Sequence, residues 1–222
     1  MEVYSYHQLL YDFRTETSLP AIAQAALLLS FQCKPHDLQL NTSWLSTAIQ
    51  YARADECHLY YCLPEITAQQ RRAKKRLWWC CILRDRIVAL GVRRPVQITP
   101  DHFDFTQMPP TEDDFAGEIE RSRVYNPGTK TLLARTFILQ CQLAIALGTT
   151  LMTIYPLNGV TNVDASNTSR PSELLQAKIV ESERLLSAWM EKARAHLDHD
   201  LESFTTPNKS LRLYADLTLI YY

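Results

Sequence analysis

The sequence predicts an all-α protein, an irregular multi-helix domain in which a buried central helix is followed by a proline-rich crossover. Three observations carry that expectation. Strict alternation of apolar and polar residues, the mark of a half-buried strand, is almost absent. Helical spacing of apolar residues recurs in nearly every segment between proline breaks. Glycine occurs only five times in 222 residues, and hairpin signals are few.

Taken in order, the periodic segments predict helices over roughly 2–13, 20–32, 43–54, 66–91, 112–122, 129–155, 170–199 and 209–222. Asn-x-Ser triplets at Asn41, Asn167 and Asn208 each precede an apolar periodic segment, which suits helix N-caps better than glycosylation sites. Segment 92–111 carries four prolines. Each ring removes a backbone donor and biases its predecessor toward extended geometry, so this is an ordered crossover with Val96, Ile98, Phe103 and Phe105 available for packing. A second break, Pro156 to Ser169, is rich in Asn, Ser and Thr and reads as a loop.

The chain is 46% hydrophobic and 21% charged, enough to bury a core as one compact unit or two closely packed lobes. A net charge of -1 supplies no global field toward nucleic acid or anionic lipid, so any basic surface must act locally. The N-terminus lacks the basic and apolar regions of a secretory signal. Residues 136–155 contain no charge and are long enough to span a bilayer. Gln140, Gln142 and four threonines within them, with no basic cluster in the flanks, favour a buried central helix over a membrane span.

The most informative stretch is RRAKKRLWWCCILRDRIVALGVRRPVQI, residues 71–98. Arg71, Arg72, Lys74, Lys75 and Arg76 occupy every face of a helix and read as a solvated half, with Glu112, Asp113, Asp114, Glu118 and Glu120 as candidate counter-charges. Leu77 to Leu83 is uncharged all round and must be surrounded by other elements. Leu77, Cys81, Arg84, Val88 and Gly91 share one face; Trp78, Ile82, Asp85 and Ala89 share another. A carboxylate on that second face needs a cation to offset its desolvation, and Arg94 or Arg93, returning before Pro95, is the expected partner. The competing reading of Asp85 as a general base lacks a nearby His, Lys or second acid.

Cys33, Cys57, Cys62, Cys80, Cys81 and Cys141 match neither a zinc ribbon nor a small disulfide framework and read mostly as buried reduced thiols. Two sets of metal ligands can be drawn, Cys57, His58 and Cys62, or His196 and His199; the first lacks a fourth ligand and the second lies on a polar face. Asp113-Asp114-Phe115-Ala116-Gly117-Glu118 superficially resembles the acidic magnesium motif of an all-α terpene-cyclase-like enzyme, but follows Pro109-Pro110 and has no second metal motif. A ligand-free helical scaffold is the remaining alternative.

Residues 71–98 resemble the signature of the fungal-specific transcription factor domain, the middle homology region of fungal binuclear zinc-cluster transcription factors. The matching positions are the basic run Arg71–Arg76, Trp78 and Trp79, the apolar turn Cys80–Leu83, Asp85 and Arg86, and Arg93-Arg94-Pro95 with Ile98. Arg93 stands where a Gly-Arg-Pro turn has glycine, as in a subgroup that includes the cutinase-gene activators. The resemblance extends to AQAALLLSFQ (23–32), TSWLSTAIQYARADECHLY (42–60) and SLRLYADLTLIYY (210–222).

That resemblance implies a regulatory domain over 1–222, incomplete at both ends, acting in the nucleus and not as an enzyme. It assigns a structural role to Trp78, Trp79, Asp85, Arg86, Arg94 and Pro95. Zinc and DNA contact would belong to a zinc-cluster element absent from this stretch. A small-molecule effector, a coregulator protein or a second copy of the chain are the partners it implies; a membrane is not.

Overall fold

The computed structural model describes residues 16–31, 39–157 and 173–203, and divides the chain into two compact units, Met1–Val88 and Ala89–Tyr222. Among the described residues there are six α-helices, two 3₁₀ turns and no strand, so the all-α expectation holds. Segments 2–13 and 209–222, predicted helical, lie outside the described residues, as do Cys33, Asn167 and Asn208.

In the first unit, α1 (Leu19–Leu29) starts with Pro20 in its first turn, where a missing N–H costs no helical bond, and buries Ala23, Ala26 and Leu29. α2 (Leu40–Ala54) turns Trp44, Leu45, Ala48, Ile49 and Ala52 inward, a stripe with i, i+4, i+8 spacing. α2 begins earlier than the sequence spacing suggests. Asn41 therefore sits inside the first turn and is not the cap; Gln39 occupies that position without a side-chain cap bond. The hydroxyls that follow bond back along the helix, Ser46 Oγ to the Thr42 carbonyl at 2.9 Å and Thr47 Oγ1 to the Ser43 carbonyl at 3.1 Å.

A 3₁₀ turn, Cys57–Leu59, follows; Glu56 just before it takes a left-handed φ of 56°. Helix α3 (Ala68–Val92) opens on a reciprocal cap. The Thr67 backbone N–H donates to Gln70 Oε1 at 2.9 Å, and the Gln70 N–H donates to Thr67 Oγ1 at 3.2 Å. α3 runs through the boundary between the units, its last turn counting with the second.

In the second unit, residues 93–111 are non-helical, as their prolines require. Val96, Ile98 and Phe103 are buried, and Phe103 packs edge-on against Phe105 at 5.2 Å between ring centroids. The predicted helix 112–122 resolves into a 3₁₀ turn, Glu112–Phe115, and a short α4 (Ala116–Arg121). α5 (Pro127–Ile154) is capped by Asn126, whose side-chain oxygen accepts the Thr129 N–H at 2.8 Å. α6 (Glu173–Ser203) packs against α5. Their shared core holds Leu132, Leu139, Leu143, Leu147, Leu151, Trp189 and Ala193, joined by Ala89 and Val96. The Trp189 indole N–H donates to the Leu139 carbonyl at 2.9 Å, a bond within the helix–helix contact. α5 is long and apolar enough to cross a membrane by length and composition. Here its inward face is a core surface.

Candidate functional site

Residues 71–98 form the candidate site, because there charged and aromatic groups sit where burial makes them expensive. Leu77, Trp78, Trp79, Cys81, Ile82, Arg84, Asp85, Arg86, Val88 and Ala89 are all buried. The predicted all-round packing of α3 is observed, and Trp79 and Arg86, seven residues apart, form a third buried face.

The basic run differs from its expected solvated state. Arg71 donates to two carbonyls, that of Tyr60 and that of Leu63, the latter at 2.8 Å. The Lys74 ammonium donates to the Asp55 carbonyl and, at 2.6 Å, to the Asp55 carboxylate. Asp55 is the C-cap residue of α2, so Lys74 places a cation and three donors where α2 leaves unpaired carbonyls. Lys75 lies 6.0 Å from the Tyr60 ring centroid. Of the candidate counter-charges, Glu112 pairs with Arg135 at 2.8 Å, and Asp114 accepts the Thr111 N–H at 2.8 Å in a capping box. Two of these five acids, Glu112 and Asp114, thus have local structural partners.

Nearly three turns beyond Lys74, Arg84 repeats the same device. Its Nε donates to Ser30 Oγ at 2.9 Å and its Nη2 to the Ser30 carbonyl, capping the C-terminus of α1, while the guanidinium lies 3.9 Å from the Phe31 ring centroid. Three cations of one helix thereby close the ends of α1, α2 and the 55–63 turn. Sequence reading missed this because an orphan carbonyl has no signature in the chain.

Trp78 and Trp79 are both 0% exposed. The Trp79 indole N–H donates to the Tyr60 hydroxyl at 3.2 Å. Trp78 carries His58 against its ring at 5.5 Å, and the Arg53 guanidinium at 6.0 Å. Burial, reinforced by Arg53 and opposed by Glu56, holds His58 below its usual pKa of 6.5. An imidazole whose folded pKa is depressed contributes stability that is present above pH 6.5 and lost as the pH falls below it. Thermal midpoints measured from pH 7.5 to 5.5 should therefore fall more steeply for the wild type than for His58→Phe; parallel curves would refute the assignment.

Asp85 is 1% exposed and forms its ion pair with Arg86 Nη1 at 2.7 Å. This corrects the expected pairing with Arg94 or Arg93. Those two arginines, like Pro95, are exposed, whereas the Arg86 side chain is only 1% exposed and long enough to reach its sequence neighbour. Burial pulls the Arg86 guanidinium below its usual pKa and Asp85 pushes it back up.

Arg93 has a φ of 55°, and the Arg94 N–H donates to the Ala89 carbonyl at 3.1 Å. Together these make a left-handed helix end of the kind that glycine occupies without steric cost. Gly91, two residues earlier, has open space around a would-be Cβ. Arg93→Gly should raise stability by about 1 kcal/mol, and Gly91→Ala by about 0.5–1 kcal/mol. Chemical denaturation of both variants checks this; destabilisation by Arg93→Gly would mean that the arginine side chain has a role of its own.

Among the described residues the cysteines do not gather as ligands. Burial and Asp55 push the Cys57 thiol up to about 12, and burial raises Cys80 to about 11. Cys57 donates to Asp55 Oδ2 at 3.4 Å, and exposed Cys62 donates to the Leu59 carbonyl at 3.4 Å. Thiols so raised are poor thiolate ligands. Among the described residues no three His, Cys, Asp or Glu side chains are placed to hold a metal ion. The side chains of His196 and His199 lie outside the described residues.

Residues 2–190 match the family described as the fungal specific transcription factor domain. The chain belongs to that family. Among curated relatives, it is similar to cutinase transcription factor 1 beta of Fusarium vanettenii, with 34% identity over 140 residues, covering 62% of this chain and 16% of the relative. Transcription factor cpaR of Aspergillus oryzae is 25% identical over 227 aligned residues, covering 96% of this chain and 38% of the relative. Cutinase transcription factor 1 alpha of Fusarium vanettenii is 34% identical over 117 residues, covering 52% and 12%. The chain thus spans well under half the length of these relatives. All three are named as transcription factors. No solved structure matches the chain.

Proposed function

We propose that residues 1–222 are the regulatory portion of a nuclear fungal transcription factor that does not itself read DNA, and that DNA contact and zinc belong to a zinc-cluster element outside this stretch. Membership of the fungal-specific transcription factor domain family supports the regulatory role. The observation that carries the second part is the use of the basic run: Arg71 and Lys74, two cations that could have faced phosphate, are bonded to carbonyls of their own fold, and Lys74 also to the Asp55 carboxylate. Specific DNA recognition needs several phosphate contacts together with base readout. With a net charge of -1, this chain has little to supply them. On this reading, control passes to the attached DNA-binding element through a small-molecule effector, a coregulator protein or self-association.

Two measurements test the proposal. The isolated chain should give no salt-resistant shift of any one duplex over scrambled competitors. Tethered to an unrelated DNA-binding module, it should change transcription of a reporter carrying that module's site. A specific shift by the chain alone would overturn the first half, and an inert tethered chain the second.

A further inference from the structure

We infer that the turn Cys57–Leu59 is an acid-opened latch: it closes over Trp78 while the His58 imidazole is neutral, and lifts when that ring gains a proton, baring the Cys57 thiol. The His58 ring lies 5.5 Å from the Trp78 ring, and the Arg53 guanidinium lies 6.0 Å from the same Trp78 ring. His58 Nδ1 and Arg53 Nη2 are both buried, and neither has a hydrogen-bond partner. A proton added to such a nitrogen finds no acceptor, and the neighbouring guanidinium repels the charge it brings.

Anchors on either side confine the movement to this turn. Before it, Lys74 holds Asp55; after it, Arg71 holds the Tyr60 and Leu63 carbonyls, and the Trp79 indole holds the Tyr60 hydroxyl. The turn itself is lightly bonded. The Leu59 N–H donates to the Glu56 carbonyl at 3.0 Å and the Tyr60 N–H to the Cys57 carbonyl at 3.4 Å, the second long for an amide bond. Glu56, at the hinge, has a left-handed φ of 56° that is costly for a residue with a side chain and that lifting would relieve. Cys57 is 0% exposed in the closed turn, so its thiol meets solvent when the turn lifts.

The surroundings of His58 set the direction. Burial disfavours its charged form most, Arg53 on α2 adds to this, and Glu56 on the turn opposes it, so the imidazole stays below its usual pKa of 6.5. α3 presents the Trp78 ring to it, while the nearby α3 cations are engaged elsewhere, Lys74 with Asp55 and Lys75 over the Tyr60 ring. A group whose pKa is depressed in the closed form favours the open form as the pH falls. An imidazole that titrates at 6.5 in the lifted turn and stays neutral in the closed one favours lifting by up to about tenfold between pH 7.5 and 5.5. The inference goes beyond the regulatory reading and does not depend on it.

The test labels the full chain with a dipyridyl disulfide reagent between pH 7.5 and 5.5 and reads Cys57 against the exposed Cys62 by peptide mass spectrometry, so that the loss of thiolate with acid, common to both, cancels. The Cys57-to-Cys62 ratio should rise at least about threefold at the lower pH, with helical circular dichroism unchanged. The rise should be absent in His58→Phe. It should be diminished in Arg53→Gln, which keeps the imidazole and removes the cation that repels its proton, and which carries the test if His58→Phe does not fold. A flat ratio in the wild type, a full rise in either folded variant, or a rise that comes only with loss of helix would overturn the inference. Failure here leaves the tethered-reporter result untouched, so the two readings fall separately.

Discussion

Trp79→Ala and Trp78→Ala are each expected to destabilise the first unit by about 3–5 kcal/mol, the cost of removing a large fully buried aromatic and leaving a cavity that neighbours fill only in part. Both rings are 0% exposed, in a turn of α3 that is buried on every face. The two should differ in a companion substitution. Trp79 donates its indole N–H to Tyr60, which α3 also holds through Arg71 at the Tyr60 carbonyl. Tyr60→Phe would strand that buried donor, at a cost of about 1–3 kcal/mol. Chemical denaturation followed by tryptophan fluorescence reads all three. Unchanged midpoints for both tryptophan variants would mean that 77–83 is a surface after all, and a direct binding role for α3 would return.

The helices were legible because their apolar residues recur at helical spacing and prolines separate them. α5 and α6 lie within a few residues of where spacing placed them. The buried spine was legible for the same reason: Leu77 to Leu83 has no polar side for water. What the chain does not display is the partner of each charge. Arg71 and Lys74 look like solvated cations in sequence, and Arg84 shows no partner there, because the groups they bind, the carbonyls of Tyr60, Leu63, Asp55 and Ser30, belong to backbone that every residue has. Asn41 misled for a related reason. Asn before an apolar run is a common cap, yet α2 gains an extra turn at Leu40, and its hydroxyl residues bond along the helix instead. Arg93 was legible in part: the departure from glycine was visible, and the left-handed φ shows what glycine would have relieved.

Asp85→Ala is the second substitution expected to have a large effect, about 3–5 kcal/mol, because it removes the carboxylate that is ion-paired with the buried Arg86 guanidinium. Arg86 is 1% exposed, and burial already pulls its pKa below the usual value against the opposing field of Asp85. The sign of the whole pair is a separate matter from the cost of breaking it. Desolvating two charges consumes much of their Coulomb attraction, so replacing both with apolar side chains of similar size should cost far less than either single change. Asp85→Leu/Arg86→Met is therefore expected to be more stable than Asp85→Leu alone. The corresponding cycle, Asp85→Ala with Arg86→Ala, should show coupling of about 1–3 kcal/mol. A cycle of Asp85→Ala with Arg94→Ala should be additive within about 0.5 kcal/mol, since Arg94 is exposed and outside the pair. Coupling in the Arg94 cycle and additivity in the Arg86 cycle would restore the partner that spacing alone suggested. Loss of effector binding at unchanged stability would instead make Asp85 a ligand contact.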